Sequence, residues 1–214
     1  MLYDELEIGR DRFFDVLRRH SLLVKRKKSY TRTTNSNHFY RKYNNEIKGM
    51  TLTGPNHVYV SDITYLRTEQ GFAYLSLLTD AYSRKIVGWQ VSNSLSAEGS
   101  MIALKMAARQ AGKTDGIIHH SDRGIQYCCH QYVNLLKKRY KMQISMTEEN
   151  HCYENALAER VNGILKDEFL LDATFKTVGM AKKAVADAVK NYNSYRPHWS
   201  LNLRTPNQVH VTAA

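Results

Sequence analysis

His57-Val58-Tyr59-Val60-Ser61-Asp62-Ile63-Thr64-Tyr65-Leu66 reads as a β-strand. Its β-branched and aromatic residues suit a pleated surface, and turn formers bound it, Gly54-Pro55-Asn56 before and Gln70-Gly71 after. Two more strands follow at once, Phe72 to Thr79 and Lys85 to Val91. The short link Asp80-Ala81-Tyr82-Ser83-Arg84 makes these two an antiparallel hairpin, so three sequential strands precede any long helix.

Working downstream, a helix is expected from about Ser96 to Gln110, stopped by Gly112. The apolar run Gly116-Ile117-Ile118-His119-His120 is a fourth strand that ends at Ser121-Asp122. A helix near His130–Arg139, a fifth strand near Met142–Met146 and helices near Glu154–Leu170 and Thr177–Tyr195 complete the order β-β-β-α-β-α-β-α-α. That order predicts an α/β fold with a mixed five-stranded sheet flanked by helices. Upstream, Ile8 to His20 places Phe13, Phe14, Val16 and Leu17 at helical spacing among Arg10, Arg12, Arg18 and Arg19, a short basic amphipathic helix. Lys25-Arg26-Lys27-Lys28 then opens a stretch to about Asn56, rich in Ser, Thr, Asn, Tyr and Lys, that has no sustained period and reads as a basic linker. The expected division is a basic N-terminal extension, 1–50, and a core with a helical tail, 51–214.

Charge narrows the function. The chain holds 31 Lys and Arg against 20 Asp and Glu, a net +11, which points to a polyanionic partner, with nucleic acid first. Residues 1–50 carry 12 Lys and Arg against 6 Asp and Glu, so Lys25, Arg26, Lys27 and Lys28 are expected to follow a DNA backbone. No apolar run approaches the ~20 residues of a membrane span, and Met1-Leu2-Tyr3-Asp4-Glu5-Leu6 lacks a secretion signal, so a cytoplasmic protein with no membrane partner is expected. The three cysteines, Cys128, Cys129 and Cys152, show no C-x-x-C pair. With His119, His120 and His151 they make a poor zinc site, and reduced thiols are the simpler reading. The 14 tyrosines have no Arg/His constellation that would activate one as a nucleophile.

Three carboxylates look out of place. Asp62 interrupts a strand that otherwise reads as buried, where an unpartnered carboxylate is costly. Asp122 stands at the C-terminal end of the fourth strand before Gly124, where open sheets expose functional groups. Glu159 lies on a helix whose apolar stripe is Leu157, Val161, Ile164 and Leu165. Asn155, Glu159, Asn162 and Lys166 share another face of that helix, so a metal ligand and the DNA contacts Asn155 and Lys166 could sit side by side. Each carboxylate alone has an ordinary explanation as an ion pair, turn former or surface group. Together they suit two divalent cations, Mg²⁺ or Mn²⁺, about 4 Å apart, acting on an in-line phosphoryl transfer. A nuclease of the ribonuclease H class could instead join Asp80 or Glu98 to Asp62 and Asp122. A catalytically silent DNA-binding regulator would need only the basic N-terminus. Near these groups, His120 is expected to order the Asp122 loop and Tyr127 to pack in the core.

Five blocks carry a resemblance: Gly9-Arg10-Asp11-Arg12-Phe13-Phe14, Val60-Ser61-Asp62-Ile63-Thr64-Tyr65, His120-Ser121-Asp122-Arg123-Gly124-Ile125-Gln126-Tyr127, Glu154-Asn155-Ala156-Leu157-Ala158-Glu159, and Tyr192-Asn193-Ser194-Tyr195-Arg196-Pro197-His198-Trp199-Ser200-Leu201 with Thr205-Pro206. In this order they resemble the second-frame DDE transposases of the bacterial insertion-sequence-three group, relatives of the retroviral integrase core. The resemblance implies a ribonuclease-H-like fold, Asp62, Asp122 and Glu159 as catalytic metal ligands, and Lys166 as the basic residue seven after the Glu. It also implies metal-dependent cleavage at transposon ends, strand transfer into target DNA, a homo-oligomer on DNA, and an upstream-frame helix-turn-helix partner. Two departures stand out. The 36 residues between Asp122 and Glu159 are one more than the group's usual spacing, and the addition is expected at Lys138-Arg139-Tyr140-Lys141. The sequence also opens near where the group's internal helix-turn-helix-like region ends.

Overall fold

A computed structural model describes residues 8–23, 37–148 and 155–212. By internal contacts the chain divides into two units, Met1–Arg32 and Thr33–Ala214. In the first unit, α1 spans Arg10–Arg19 and buries no residue. Phe13 and Phe14 meet edge to face at 6.0 Å, and the Arg10 guanidinium lies 5.7 Å from the Phe14 ring centre. Asp15 pairs with Arg18 one turn on, so local side-chain contacts support this short helix.

The second unit is built on a mixed sheet. Its strands are β1 (Val58–Thr68), β2 (Gly71–Asp80), β3 (Ile86–Ser92), β4 (Ile118–Ser121), β5 (Gln143–Met146) and the two-residue β6 (Thr174–Phe175). The order across the sheet is β3-β2-β1-β4-β5, with β6 on the far end of β1. β1, β2 and β3 are antiparallel neighbours, whereas β4 runs parallel to β1 and β5 parallel to β4. The five expected strands are present, and β6 is an addition too short to leave a pattern in the sequence.

The helices cover both faces. α2 (Ala97–Ala111), α3 (Ile125–Cys128) and α4 (His130–Asn134) lie on one side, over a core that includes Tyr59, Ile63, Leu78, Val87, Leu104, Tyr127, Tyr132 and Leu136. α5 (Ala156–Asp167) and α6 (Val178–Tyr195) lie on the other, over Leu66, Leu75, Leu77, Ile86, Val161, Leu165 and Val185. Odd positions of β1 (Tyr59, Ile63) serve the first core and the even Leu66 the second, as a strand's two-residue period requires. Asp62 is an even position and therefore faces the α5 side. A 3₁₀ turn (Trp199–Leu201) and α7 (Pro206–Thr212) end the chain.

Three features differ from the sequence reading. α3 was not expected, since four residues are too few to show a helical period. The helix expected at His130–Arg139 is α-helical only to Asn134 and opens into a π-turn over Leu135–Arg139. The stretch to Asn56, read as a linker without regular structure, lies in its described part on the core: Tyr40 and Tyr43 pack on the first cluster and Ile47, Met50 and Leu52 on a third. Irregularly spaced apolar residues in a polar stretch can make such a strap, and no periodicity reveals it. Lys25, Arg26, Lys27 and Lys28 lie outside the described residues.

β3 and α2 approach so closely that a Cβ on Gly88 would stand 2.1 Å from the Ala103 carbonyl oxygen. Gly163, inside α5, has nothing within 4 Å of its Cβ position. Gly88→Ala is therefore expected to cost about 1–3 kcal/mol by forcing α2 off the sheet, while Gly163→Ala gains about 0.5–1 kcal/mol from helix propensity. Urea unfolding of the two variants checks the opposite signs.

Candidate active site

Strand register brings the first two carboxylates together. β1 and β4 pair in parallel with Ser61 opposite Ser121, so the next residues, Asp62 and Asp122, leave that pairing side by side. Parallel neighbours are ~4.8 Å apart and direct side chains at matched positions to the same face. α5 brings the third group over that face. Asn162 donates from Nδ2 to Asp62 Oδ2 at 2.7 Å, and Asn155, at the helix start, donates from Nδ2 to the Ser61 carbonyl at 3.2 Å. Glu159 is exposed, one turn before Asn162 on this clamped helix.

The electrostatics record the convergence. Burial, reinforced by the neighbouring charges of Asp122 and Glu159 and opposed by hydrogen bonds from the Ile63 backbone and Asn162, pushes the Asp62 carboxyl up to about 7. Asp122 is fixed differently, its Oδ1 accepting the Gly124 N–H at 2.9 Å. Among the described residues no three His, Cys, Asp or Glu side chains close on one ion-sized point. The three carboxylates are electrostatic neighbours, held apart as like charges prefer.

Lys166, two turns beyond Glu159, is also drawn in. Burial lowers its ammonium pKa, and the charges of Asp172 and Asp62 oppose that shift. Asn155, expected as a DNA contact, is 5% exposed and bonded to β1. It is a clamp between helix and strand. A helix face that looks polar can be buried when its amides bond to a neighbouring strand. Asn162 was noted only for sharing that face, and no spacing rule identifies an amide that holds an aspartate from a hundred residues away.

Beneath the carboxylates lies a layer of paired polar groups. Ser61 Oγ donates to Tyr127 Oη at 3.0 Å, Tyr132 Oη and His119 Nε2 meet at 2.9 Å, and His120 Nδ1 and Ser145 Oγ at 2.8 Å. His120 thus bonds across to β5. Burial drives the His119 pKa down to about 3, so this imidazole is neutral and serves as a hydrogen-bonding core residue. Tyr127 is buried edge-on against Tyr132, as expected for packing.

Among the described residues no competing group of three His, Cys, Asp or Glu side chains closes on one point either. Asp80 is fully buried in its own turn, accepting from Asn56 N, Ser83 N and Ser83 Oγ, and it pairs with Tyr59 rather than with the residues around Asp62. Glu98 is exposed in the first turn of α2. Cys128 points its thiol at Met146 and Cys129 at the Gln126 carbonyl, while Cys152 and His151 lie outside the described residues. Among the described residues no helix is long and apolar enough to cross a membrane.

The Asp122–Glu159 spacing has a local counterpart. A π-turn closes its ring over five residues where an α-turn uses four, so it has room for one more residue per turn. The π-turn at Leu135–Arg139 overlaps the segment where the additional residue was expected, and beyond it β5 still pairs in register with β4, Ile118 opposite Gln143 through Ser121 opposite Met146.

Comparisons with known proteins agree with this architecture. Two integrase core domain families match, one over residues 53–152 and the other over 140–206. The insertion element IS600 uncharacterized 31 kDa protein of Shigella sonnei is 34% identical over 201 residues, 93% of this chain and 74% of that protein. Transposase InsF for insertion sequence IS3A of Escherichia coli K12 is 35% identical over 147 residues, 68% of this chain, and the match spans about half, 51%, of that relative's length. Among solved structures, the magnesium complex of the HTLV-2 integrase catalytic core domain superposes with a TM-score of 0.57 at 19% identity, covering 73% of this chain and 97% of that one. A chain of the simian T-cell lymphotropic virus intasome in complex with PP2A regulatory subunit B56 gamma gives 0.64 at 16% identity, covering 98% of this chain and 73% of that one. At those identities the solved structures establish the ribonuclease-H-like integrase fold, and the sequence relatives establish the kinship: the chain belongs to the DDE transposases of the IS3 group of insertion sequences.

Proposed function

We propose that this chain catalyses metal-dependent cleavage of DNA at transposon ends and transfer of the freed 3′ strand into target DNA. The observation that supports this reading is the electrostatic influence of Asp122 and Glu159 on Asp62, the three coming from two adjacent parallel strands and the helix packed over them. The donor set suits hard divalent cations. All three ligands are carboxylates, Asp62 is destabilised by the other two, and the buried amide oxygens of Asn155 and Asn162 meet no hydrogen-bond donor among the described residues. A cation beside these groups inverts the local electrostatics from repulsion to attraction. Two Mg²⁺ or Mn²⁺ ions held by Asp62, Asp122 and Glu159 would supply activation of the attacking oxygen and stabilisation of the leaving one.

The chain's own groups set the geometry. Asn162 fixes the rotamer of Asp62, the Gly124 N–H fixes Asp122, and Asn155 ties the start of α5 to β1, so the ligands are preorganised by neighbours that do not themselves react. Lys166 contacts a DNA phosphate, and Lys25, Arg26, Lys27 and Lys28 in the basic extension, 1–50, follow the backbone beyond the site. The net charge of +11 supports a polyanionic partner. A homo-oligomer on DNA, holding transposon ends and target together, and an upstream-frame helix-turn-helix protein complete the proposed set of partners.

Labelled duplex carrying the terminal repeats of the element, incubated with Mg²⁺, Mn²⁺ or chelator, tests this directly. Cleavage or joining that requires the metal and drops at least a hundredfold in Glu159→Gln is the expected result. Activity retained in Glu159→Gln would falsify the triad, and binding without cutting in any condition would reduce the chain to a DNA-binding role.

A second measurement reads the site without turnover. The folded carboxyl of Asp62, at about 7, lies above the unfolded value of ~3.9. Its neutral form therefore favours the fold fully below about pH 4, and that contribution is lost as pH rises through about 7. In chelator, Asp62→Asn is expected to raise the melting temperature by a few degrees near pH 8 and by much less near pH 4. Mg²⁺ should stabilise the unmodified protein near pH 8 and leave Asp62→Asn nearly unchanged. Calorimetry that finds the same shift at both pH values would contradict this electrostatic account.

A further inference from the structure

β5 is the last strand of its sheet, with β4 on one side only. Gln143 N donates to the Ile117 carbonyl at 2.9 Å, and Thr147 N, just past the strand, to the Ser121 carbonyl at 3.0 Å. The odd residues therefore turn their backbone groups toward β4, and alternation turns those of Ile144 and Met146 outward. The two outward residues are treated differently. The strap that begins at residue 37 reaches Met146, whose N–H donates to the Asn44 carbonyl at 3.0 Å, and beside it Glu46 N donates to Ser145 Oγ at 2.9 Å. At Ile144 neither outward group has a hydrogen-bond partner among the described residues, while its side chain is packed in the first core and holds the strand in place.

Outside Ile144 lies a groove of about 450 Å³, lined among others by Tyr43 and Glu46 of the strap, Lys137 and Lys141 of the bend before β5, and Gln143. Its rim is mainly cationic. Lys137 Nζ rests 4.6 Å from the Tyr43 ring centre, and the Arg41 guanidinium lies 5.2 Å from the same ring, so three cations gather here against the one carboxylate of Glu46.

A strand edge with an unpaired N–H and C=O is a template for another strand. Charge decides which strand it takes. A second copy pairing through this same edge would set lysines against lysines, which is unfavourable. A phosphodiester backbone would satisfy the cations but offers acceptors only, with no donor for the Ile144 carbonyl. An extended peptide supplies both backbone groups, and acidic side chains on it complement Lys137 and Lys141. Gln143 is also three residues, roughly 10 Å, from Met146, which pairs with Ser121 at the sheet end that carries the carboxylates. An occupant of the groove leaves Asp62 and Asp122 uncovered.

We propose that the outer edge of β5 at Ile144 is a docking site for an acidic, extended segment of a partner protein, which adds to the sheet as a further strand. Its backbone exchanges hydrogen bonds with Ile144, and its carboxylates meet Lys137 and Lys141. The docking site is independent of the reaction at the carboxylates.

The probe is a fluorescein-labelled peptide, Glu-Thr-Glu-Val-Glu-Thr with blocked ends, titrated into the full chain. Two control peptides carry Lys for every Glu, or N-methyl groups on alternate residues that remove the ladder donors. The acidic peptide is expected to bind on the order of tenfold more tightly than either control, and Lys137→Ala with Lys141→Glu to weaken it by about the same factor. Both lysines are exposed, so this variant should melt with the parent. Amide hydrogen exchange followed by NMR reads the edge directly in the unmodified protein: Ile144 N–H should exchange at least about tenfold faster than Ser145 N–H and slow to a similar rate when the peptide is bound. Failure of the acidic peptide to bind overturns the proposal. Equal binding of the N-methylated peptide, or binding that leaves Ile144 exchange unchanged, also overturns it, since charge attraction alone would then account for the contact. Protection of Ile144 by a short DNA duplex that displaces the peptide would assign the groove to nucleic acid and overturn it as well.

Discussion

The parallel pairing of β1 with β4 aligns Ser61 with Ser121 and so sets Asp62 beside Asp122. A slip of one residue in either strand would turn one carboxylate to the opposite face. Register is therefore the constraint on which the site depends, and much of the surrounding structure pins it. On the α5 side, Leu66, Leu75 and Leu77 pack against Val161 and Leu165. On the other side, Tyr59 and Ile63 pack with Tyr127 and Tyr132. With a large core on each face, either slip would expose apolar side chains or bury polar ones.

A second level of specification comes from hydrogen bonds that only one arrangement satisfies. Ser61 reaches Tyr127, His119 reaches Tyr132, and His120 reaches Ser145 on β5. Serine, histidine and tyrosine are costly to bury unpaired, so these bonds select the strand order as well as stabilise it. The same economy operates over the carboxylates, where Asn155 and Asn162 join α5 to consecutive residues of β1. The helix that bears Glu159 is located by two amide bonds in addition to its apolar stripe.

How much of this was legible in the sequence follows from which interactions leave a periodic trace. The five strands and the long helices did, because packing on a sheet imposes a two-residue or 3.6-residue period over many residues. Asp62 and Asp122 stood out because carboxylates are rare in buried strands and at their ends. The strap from residue 37 onward left no trace: Tyr40, Tyr43, Ile47, Met50 and Leu52 follow no repeat, and each packs singly. The burial of Asn155 was hidden for another reason. Whether a helical amide meets solvent or a strand carbonyl depends on the rotation of α5 about its axis, which composition does not record. The dual faces of β1, one carrying Ile63 and the other Asp62, became clear only when the two cores were separated in space.

The π-turn at Leu135–Arg139 bears on how such proteins are recognised. Because the wider ring can hold a spare residue within the helix while β5 keeps its pairing with β4, the number of residues between Asp122 and Glu159 is not what fixes their separation in space. Counting along the chain measures contour, whereas the sheet and the helix clamp set position. A fixed-length pattern would reject this sequence on arithmetic alone. A description anchored on strand ends and the helix face keeps it.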